Sequence, residues 1–493
     1  MRFEKQEVSC LKPCLSRVQT LEQTQEVALP EGGEARVLGT WGQSVMRSKE
    51  WMGSSILMTG GVQVWVLYES EEGGLQCLSS WIPFRMEWEA PEEKNGSWVR
   101  IRTLLRSADA RPVASGKLLI RVGVAALAEA FCAHRAAVHS PVEVDSGMQL
   151  LRSQWPVRLR KAAGEKPFEL EQELILPDSV PEVSKLLSWQ LDTKVTDQKI
   201  LGNKILFRGT GNLHMVYLTT EHLLRCWDFE IPFSQYGQLQ EGHSADASAD
   251  VAIAVTRLEL EQMDGKNLHL RTGMTGQYVV EEGQMLETVE DAFFPRRELQ
   301  VSREVLTMPV VLDSRWETVT RQQMLPVSAD VIADQVFRPD FPQQHREGDT
   351  IRLTQSGILQ LMYYDENGIL RSTAVRMEGE MPLSQDETVQ LTAVPGDAHL
   401  QLHGGRDAVE IHWEMALRLS AAADQELPMV TGLEPGEKTK PREGMPALIL
   451  CRAGNRRLWD IARECGSTVS AIETANGLTG EPEKDRMLLI PVV

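Results

Sequence analysis

The sequence predicts a mainly β protein: three tandem antiparallel β-rich modules, sandwich- or barrel-like, followed by a small C-terminal βααβ unit. Three observations carry this prediction. One layout recurs three times at nearly constant spacing. Within each copy, apolar residues alternate with period two, as on a half-buried strand. Near the C-terminus the apolar spacing changes to the i, i+3, i+4, i+7 stripe of an amphipathic helix.

The repeated layout is a Gln/Glu-rich approach to Leu-Pro, then an apolar strand ending in tyrosine. QTQEVALP ends at Pro30 and ILMTGGVQVWVLY at Tyr68; LEQELILP ends at Pro177 and ILFRGTGNLHMVY at Tyr217; RQQMLP ends at Pro326 and IRLTQSGILQLMYY at Tyr364. The proline-to-tyrosine separations are 38, 40 and 38 residues, and successive tyrosines lie 149 and 147 apart. Such agreement marks copies of one unit. The domains predicted are residues 1–145, 146–304 and 305–424, a linker at 425–444, and a C-terminal domain at 445–493.

Strands follow in order within each copy. In ILFRGTGNLHMVY, Leu213, Met215 and Tyr217 face one way and Asn212, His214 and Val216 the other. In the same copy VAIAVTRLELEQ and NLHLRTG flank Met263-Asp264-Gly265-Lys266. The Asp-Gly step there predicts a hairpin, because both residues tolerate positive φ. The first copy offers WVRIRTLL and GKLLIRVGVAAL, and the third TVQLTAV, AHLQLHG and AVEIHWEMALRL. Ile82-Pro83-Phe84 and Ile231-Pro232-Phe233 each begin 14 residues beyond the tyrosine, whereas in the third copy Met381-Pro382-Leu383 comes three residues later. A proline at that place predicts a strand end or a sheet edge, since it cannot donate to the ladder. Residues 425–444, QELPMVTGLEPGEKTKPREG, offer little to bury and read as a flexible tether.

In the C-terminal unit, Leu458, Ile461, Ala462 and Cys465 form one helical stripe that Gly466 closes. Ser467 and Thr468 are candidate caps of a second helix with inner face Val469, Ile472 and Ala475, stopped at Asn476-Gly477. Ala447–Leu450 before and Leu488–Pro491 after complete the order strand, helix, helix, strand.

Composition narrows the function. The 493 residues exceed one hydrophobic core, and 42% hydrophobic with 25% charged residues is an ordinary folded chain. A net charge of −19 repels phosphate backbones, so no nucleic-acid partner is expected. The N-terminus lacks the apolar run of a signal peptide, and no stretch approaches the ~18 apolar residues that span a bilayer. The chain is therefore expected in the cytoplasm. Seven scattered cysteines fit reduced thiols, and Cys10 and Cys14 lack the second pair a zinc site needs. His399, His403 and His412 come nearest to a metal constellation but lack a Cys or carboxylate partner, so no metal or cofactor is expected. The chain has no H-E-x-x-H, G-x-S-x-G or G-x-x-x-x-G-K-[ST] motif, so no enzymatic chemistry is expected either.

Two resemblances follow. The order Leu-Pro, apolar strand to Tyr, then Ile-Pro-Phe resembles the SPOCS domain of sporulation proteins in endospore-forming bacteria. Leu458-Trp459-x-Ile461-Ala462, Asn476 and Leu489-Ile490-Pro491 resemble the LysM domain. Three SPOCS-like copies before a LysM-like module resemble the SipL type of spore-coat morphogenetic protein. The resemblance implies a scaffold at the forespore surface in the mother cell. It docks coat onto the basement-layer ATPase SpoIVA and meets other coat proteins. LysM domains that bind N-acetylglucosamine polymers usually carry Gly-Asp-Thr before the Leu-Trp; here Asn455-Arg456-Arg457 stands there. Two guanidinium groups favour a protein carboxylate over a sugar. Peptidoglycan is the alternative partner, and the binding surface expected in either case comprises Asn455, Arg456, Arg457, Leu458, Trp459, Asn476, Gly477 and Leu478.

Overall fold

In the computed structural model the described residues are 3–30, 32–71, 74–93, 95–114, 116–141, 147–384, 386–404, 408–438, 447–484 and 486–492. The first unit has six strands: β1 (Phe3–Ala28), β2 (Ala35–Met52), β3 (Ser55–Ser70), β4 (Leu75–Glu89), β5 (Trp98–Ala114) and β6 (Lys117–Pro141). They form two antiparallel sheets, β1-β6-β5 and β2-β3-β4. The second unit repeats this with β7 (Gln149–Ile175), β8 (Val183–Leu201), β9 (Lys204–Thr219), β10 (Leu224–Gln238), β11 (Ser248–Gln262) and β12 (Asn267–Phe293), paired as β7-β12-β11 and β8-β9-β10.

The third unit runs through β13 (Arg297–Leu325), β14 (Val331–Pro339), β15 (Gln343–Glu347), β16 (Thr350–Tyr364), β17 (Leu370–Ser384), β18 (Gln390–His403) and β19 (Val409–Lys438). Its second strand is split, so β14 and β15 pair successively along β16, with β17 on the other side. In every unit the first strand pairs with the last.

Alternation explains each core. The two sheets of a unit face each other, and their inward side chains make one apolar layer: Ile56, Met58, Trp88, Ile101, Leu118 and Ile120 in the first, Phe207, Leu213, Met215, Tyr217, Leu268 and Leu270 in the second, Leu353, Leu361, Met377, Ile411 and Trp413 in the third. The Ile-Pro-Phe motif has a packing reason. Phe84 lies directly opposite Gly60, and Phe233 opposite Gly209. A Cβ at Gly209 would come 2.0 Å from the Lys194 carbonyl oxygen and 2.5 Å from the Phe233 ring. The aromatic side chain thus covers a glycine that has no room for more. In the third unit Phe337, from the neighbouring β14, covers Gly357 instead, so the motif is dispensable there. Pro83, Pro232 and Pro382 all sit within the outer strands β4, β10 and β17, where a missing donor does not break a ladder.

The closing strands are longer than the sandwiches they close. Beyond the third strand of each sheet, β1 and β6, β7 and β12, and β13 and β19 continue as two-stranded ribbons. The ribbons pack together through Val8 and Val138, Val157 and Leu159, and Met308, Val310 and Leu427. A second cluster joins the units through Trp41, Trp65 and Leu67, then Val216 and Leu224, then Met362 and Leu370.

Several expectations need correction. Residues 425–438 are not a tether: they are the outer half of β19, paired with Arg297–Met308 of β13. The third unit therefore begins at Arg297 and runs to Lys438. Residues 439–446 of the expected linker lie outside the described residues. In the third copy the tyrosine that enters the core is Tyr363, whereas Tyr364 faces the cluster between units. The hairpin at Asp264-Gly265 exists, but neither residue has positive φ. Asp264 instead accepts bonds from the Lys266 and Asn267 backbone N–H groups, both at 2.8 Å, and bends the chain through its side chain.

Replacing Gly209 by Ala should lower stability by about 1–3 kcal/mol, through overpacking against backbone that cannot move freely. Gly202→Ala, whose Cβ would meet nothing within 4 Å, should act only through its positive φ. Urea melts of the two variants check the difference.

Candidate functional site

The C-terminal module consists of β20 (Leu448–Arg452), α1 (Leu458–Cys465), α2 (Val469–Asn476) and β21 (Met487–Pro491), the order the sequence predicts. Eight-residue helices are unstable alone, so both depend on caps and on the two-stranded sheet beneath. Gly466 ends α1 in the left-handed region at φ 65°, and Gly477 ends α2 at φ 61°. The Thr468 hydroxyl accepts from the Ala471 N–H at 3.1 Å. Leu458, Ile461, Ala462 and Ile472 fill the module's core with Leu488 and Ile490. Ala475, expected on the inner face, is exposed.

The residues expected to bind a partner divide into two groups. Trp459, Leu458, Asn476 and Leu478 serve the module itself. The Trp459 ring packs edge-on against Phe293 with centroids 4.8 Å apart, and its indole N–H donates to Asp291 at 3.0 Å. Arg463 reaches the same carboxylate at 2.8 Å, so α1 is seated on the end of β12. Asn476 bridges helix to strand, donating to the Ile472 and Leu489 carbonyls and accepting from the Leu489 N–H. Leu458 is buried, Leu478 packs against the core, and Gly477 is the helix stop.

Asn455, Arg456 and Arg457 are exposed. Each guanidinium already faces a carboxylate of its own module: Arg456 pairs with Glu464 at 2.8 Å and donates to the Arg452 carbonyl at 2.7 Å, and Arg457 lies 3.3 Å from Asp460. The positive spot expected from the sequence is thereby largely balanced. Exposed pairs of this kind hold weakly, at about 0–1 kcal/mol, and exchange readily with a partner's carboxylates. At the start of α1, Arg457 makes no side-chain cap; Glu481 of the α2–β21 loop accepts from the Leu458 N–H at 2.8 Å. A carboxylate suits the positive end of a helix, and here it ties the loop before β21 to the start of α1.

What the sequence reading missed is the outer face of the β20–β21 sheet. Leu448, Leu450, Met487 and Leu489 are 56%, 64%, 51% and 45% exposed on strands whose alternate residues are turned inward. The signal was present: LIL and LLI are apolar at every position, which two strands covered on one face only cannot bury completely.

A second polar centre joins the three units. His214 of β9 donates through Nδ1 to Asp228 at 2.9 Å and through Nε2 to Asp334 of β14 at 2.8 Å, while the Trp41 indole of β2 donates to the other Asp334 oxygen at 2.7 Å. Burial disfavours the charged ring, but the two carboxylates outweigh it and push the His214 pKa up to about 10. Donor atoms of His214, Cys226 and Asp334 lie within 4.8 Å of one another. Burial raises the Cys226 thiol to about 12. A metal would have to displace protons from two of these three groups, so the arrangement works as a buried ion pair. His399 and His403 are exposed, whereas His412 is half-buried and lies 3.1 Å from Glu410, a carboxylate partner that the sequence did not lead us to expect.

Two outcomes follow. The Trp459→Ala variant should undock the module, with amide exchange in α1 and at Asp291–Phe293 rising by at least tenfold while the sandwich strands stay protected. His214→Gln should cost about 3 kcal/mol or more at pH 6. Because the folded pKa is raised, that stabilisation is complete below about pH 6.5 and is lost as pH rises through 10; melting midpoints of the two proteins should therefore converge towards pH 10.

No helix among the described residues is long and apolar enough to cross a membrane. Residues 182–263 match the family described as SipL, SPOCS domain. The match covers β8 to β11, the part of the second unit that holds Gly209 beneath Phe233. No curated protein and no solved structure matches the chain. The second unit is thus similar to a domain of SipL-family sporulation proteins.

Proposed function

We propose that the chain is a non-enzymatic scaffold of spore-envelope assembly, and that its LysM-like module docks it onto the SpoIVA-like ATPase of the coat basement layer. The SPOCS match in the second unit supports a role in sporulation. The first and third units share its strand order, which supports three SPOCS-like modules in tandem. Modules linked in this way turn weak contacts with other coat proteins into a firm attachment through effective concentration. The mother-cell side of the forespore is where such a scaffold would act.

The observation that carries the docking role is the exposed apolar face formed by Leu448, Leu450, Met487 and Leu489. Contiguous exposed apolar surface of this kind marks protein contact rather than sugar contact. Arg456 and Arg457 supply a polar rim whose weak internal pairs are exchangeable. Asn455-Arg456-Arg457 in place of Gly-Asp-Thr, with the Glu481 carboxylate on the neighbouring Leu458 N–H, weighs against the peptidoglycan reading.

Capture of SpoIVA by the full chain tests this reading. The double variant Leu450→Glu, Leu489→Glu should weaken capture at least tenfold with an unchanged melting temperature, and Arg456→Ala with Arg457→Ala should weaken it less. Retention on insoluble peptidoglycan, unaffected by these changes and without SpoIVA capture, would instead establish a wall-binding module.

A further inference from the structure

Where the three units meet on the side of the ribbons, they enclose a polar cleft. Four arginines line it, Arg100, Arg102, Arg160 and Arg418, with three carboxylates, Glu129, Asp250 and Glu281. The first unit supplies Arg100, Arg102 and Glu129, the second Arg160, Asp250 and Glu281, and the third Arg418.

The hydrogen bonds do not balance. Arg100 is fully used, with Nε and Nη2 on Glu129 at 2.7 and 3.0 Å and Nη1 on Asp250 at 2.8 Å. Asp250 also takes Arg102 at 3.0 Å and Arg418. Glu281 stands 3.8 Å from Arg160 Nε, beyond hydrogen-bond reach, and is shared with Arg158 at the same distance. Arg160 Nη1 and Arg102 Nε are left buried with no acceptor. The Arg160 side chain is only 9% exposed.

Four guanidinium groups face three carboxylates here, and Arg158 shares Glu281 from outside the cleft, so positive charge is in excess. The Phe131 ring, 6.0 and 5.9 Å from Arg100 and Arg160, is the aromatic face beneath them and carries no full negative charge. An unpaired buried charge is strongly unfavourable. Burial lowers the proton affinity of Arg102 and Arg160, whereas for Arg100 the two carboxylates outweigh the same effect and raise it. Water would satisfy the orphaned N–H groups without cancelling the charge. The cleft has room for about two or three waters, which is also the room one tetrahedral oxyanion needs. Thr392 and Ser420 of the third unit complete its lining, and the Thr392 hydroxyl lies 3.4 Å from that of Ser16.

We propose that this cleft is a binding site for one small inorganic oxyanion of the phosphate class, held by Arg160 and Arg102, with Thr392 and Ser420 lining the third unit's side. The anion touches residues of all three units and so fastens their relative arrangement. It is selected in spite of the chain's net charge of −19, because the local balance has the opposite sign.

The test uses the full chain with inorganic phosphate at constant ionic strength, chloride making up the difference. Equilibrium dialysis should find one phosphate per chain, and the melting temperature should rise saturably with phosphate, as expected for a ligand of the native state. Arg160→Met should abolish both effects and melt no lower than the phosphate-free wild type, since it removes an unfavourable excess charge. Arg102→Gln provides a second variant and should weaken binding at least tenfold. No bound phosphate in the wild type, an equal rise with chloride alone, or a phosphate effect that survives in Arg160→Met would each overturn the site.

Discussion

The antiparallel pairing of the first strand of each unit with its last is the constraint on which the architecture rests. It closes every sandwich with a ladder between residues about a hundred positions apart. Because both strands overrun the sandwich, closure also creates three ribbons, and the ribbons need one another to bury Val8, Leu159, Leu427 and their neighbours. Assembly of the units is thus a consequence of how each one is closed. The end of β12, where the second ribbon turns into the third unit, is in turn the surface on which Trp459 rests.

Polar contacts then fix what apolar packing leaves loose. Gln277 of β12 bonds to both the N–H and the carbonyl of Ile101, at 3.0 and 2.8 Å, in the manner of an extra strand residue inserted into the first unit. Between β8 and β2, Gln190 donates to the Gly42 carbonyl and Gln43 accepts from the Leu191 N–H, and Arg338 reaches the Thr40 carbonyl at 3.0 Å. Hydrophobic contact tolerates sliding, whereas a buried donor tolerates very little displacement from its acceptor. With His214 clamped between Asp228 and Asp334, these contacts define one angle between units out of the many that leucines and valines alone would allow.

How much of this was legible depends on whether the signal was local. The threefold repeat, the antiparallel strands and the βααβ module are written in short-range spacing, and so were the caps Gly466, Thr468 and Gly477. Residues 425–438 were not, because proline, glycine and charge speak for a loop and the partner that makes them a strand lies beyond Arg297. The same holds for Trp459: its place on a helix was readable, but Phe293 and Asp291 were needed to show that it faces a neighbouring domain. Tyr363 and Tyr364 show a finer limit: Tyr363 pairs with Arg371 as Tyr217 does with Arg225, so Tyr363 is the counterpart, and of two adjacent tyrosines only the register tells which faces inward. The inter-unit charges were unreadable in principle, as the −19 total conceals a centre where arginine is in excess.

The late arrival of each closing strand has a consequence for synthesis. A ribosome delivers β1 at the outset, but β6 begins only after 88 intervening residues, and similar intervals of 91 and 83 residues follow β7 and β13. Throughout that interval the nascent segment exposes unpaired backbone, which is the state most open to wrong partners. Translation that stalls within a unit would leave an open sheet, whereas a stop after β6 or β12 would release a closed sandwich whose ribbon still lacks the neighbours that cover it.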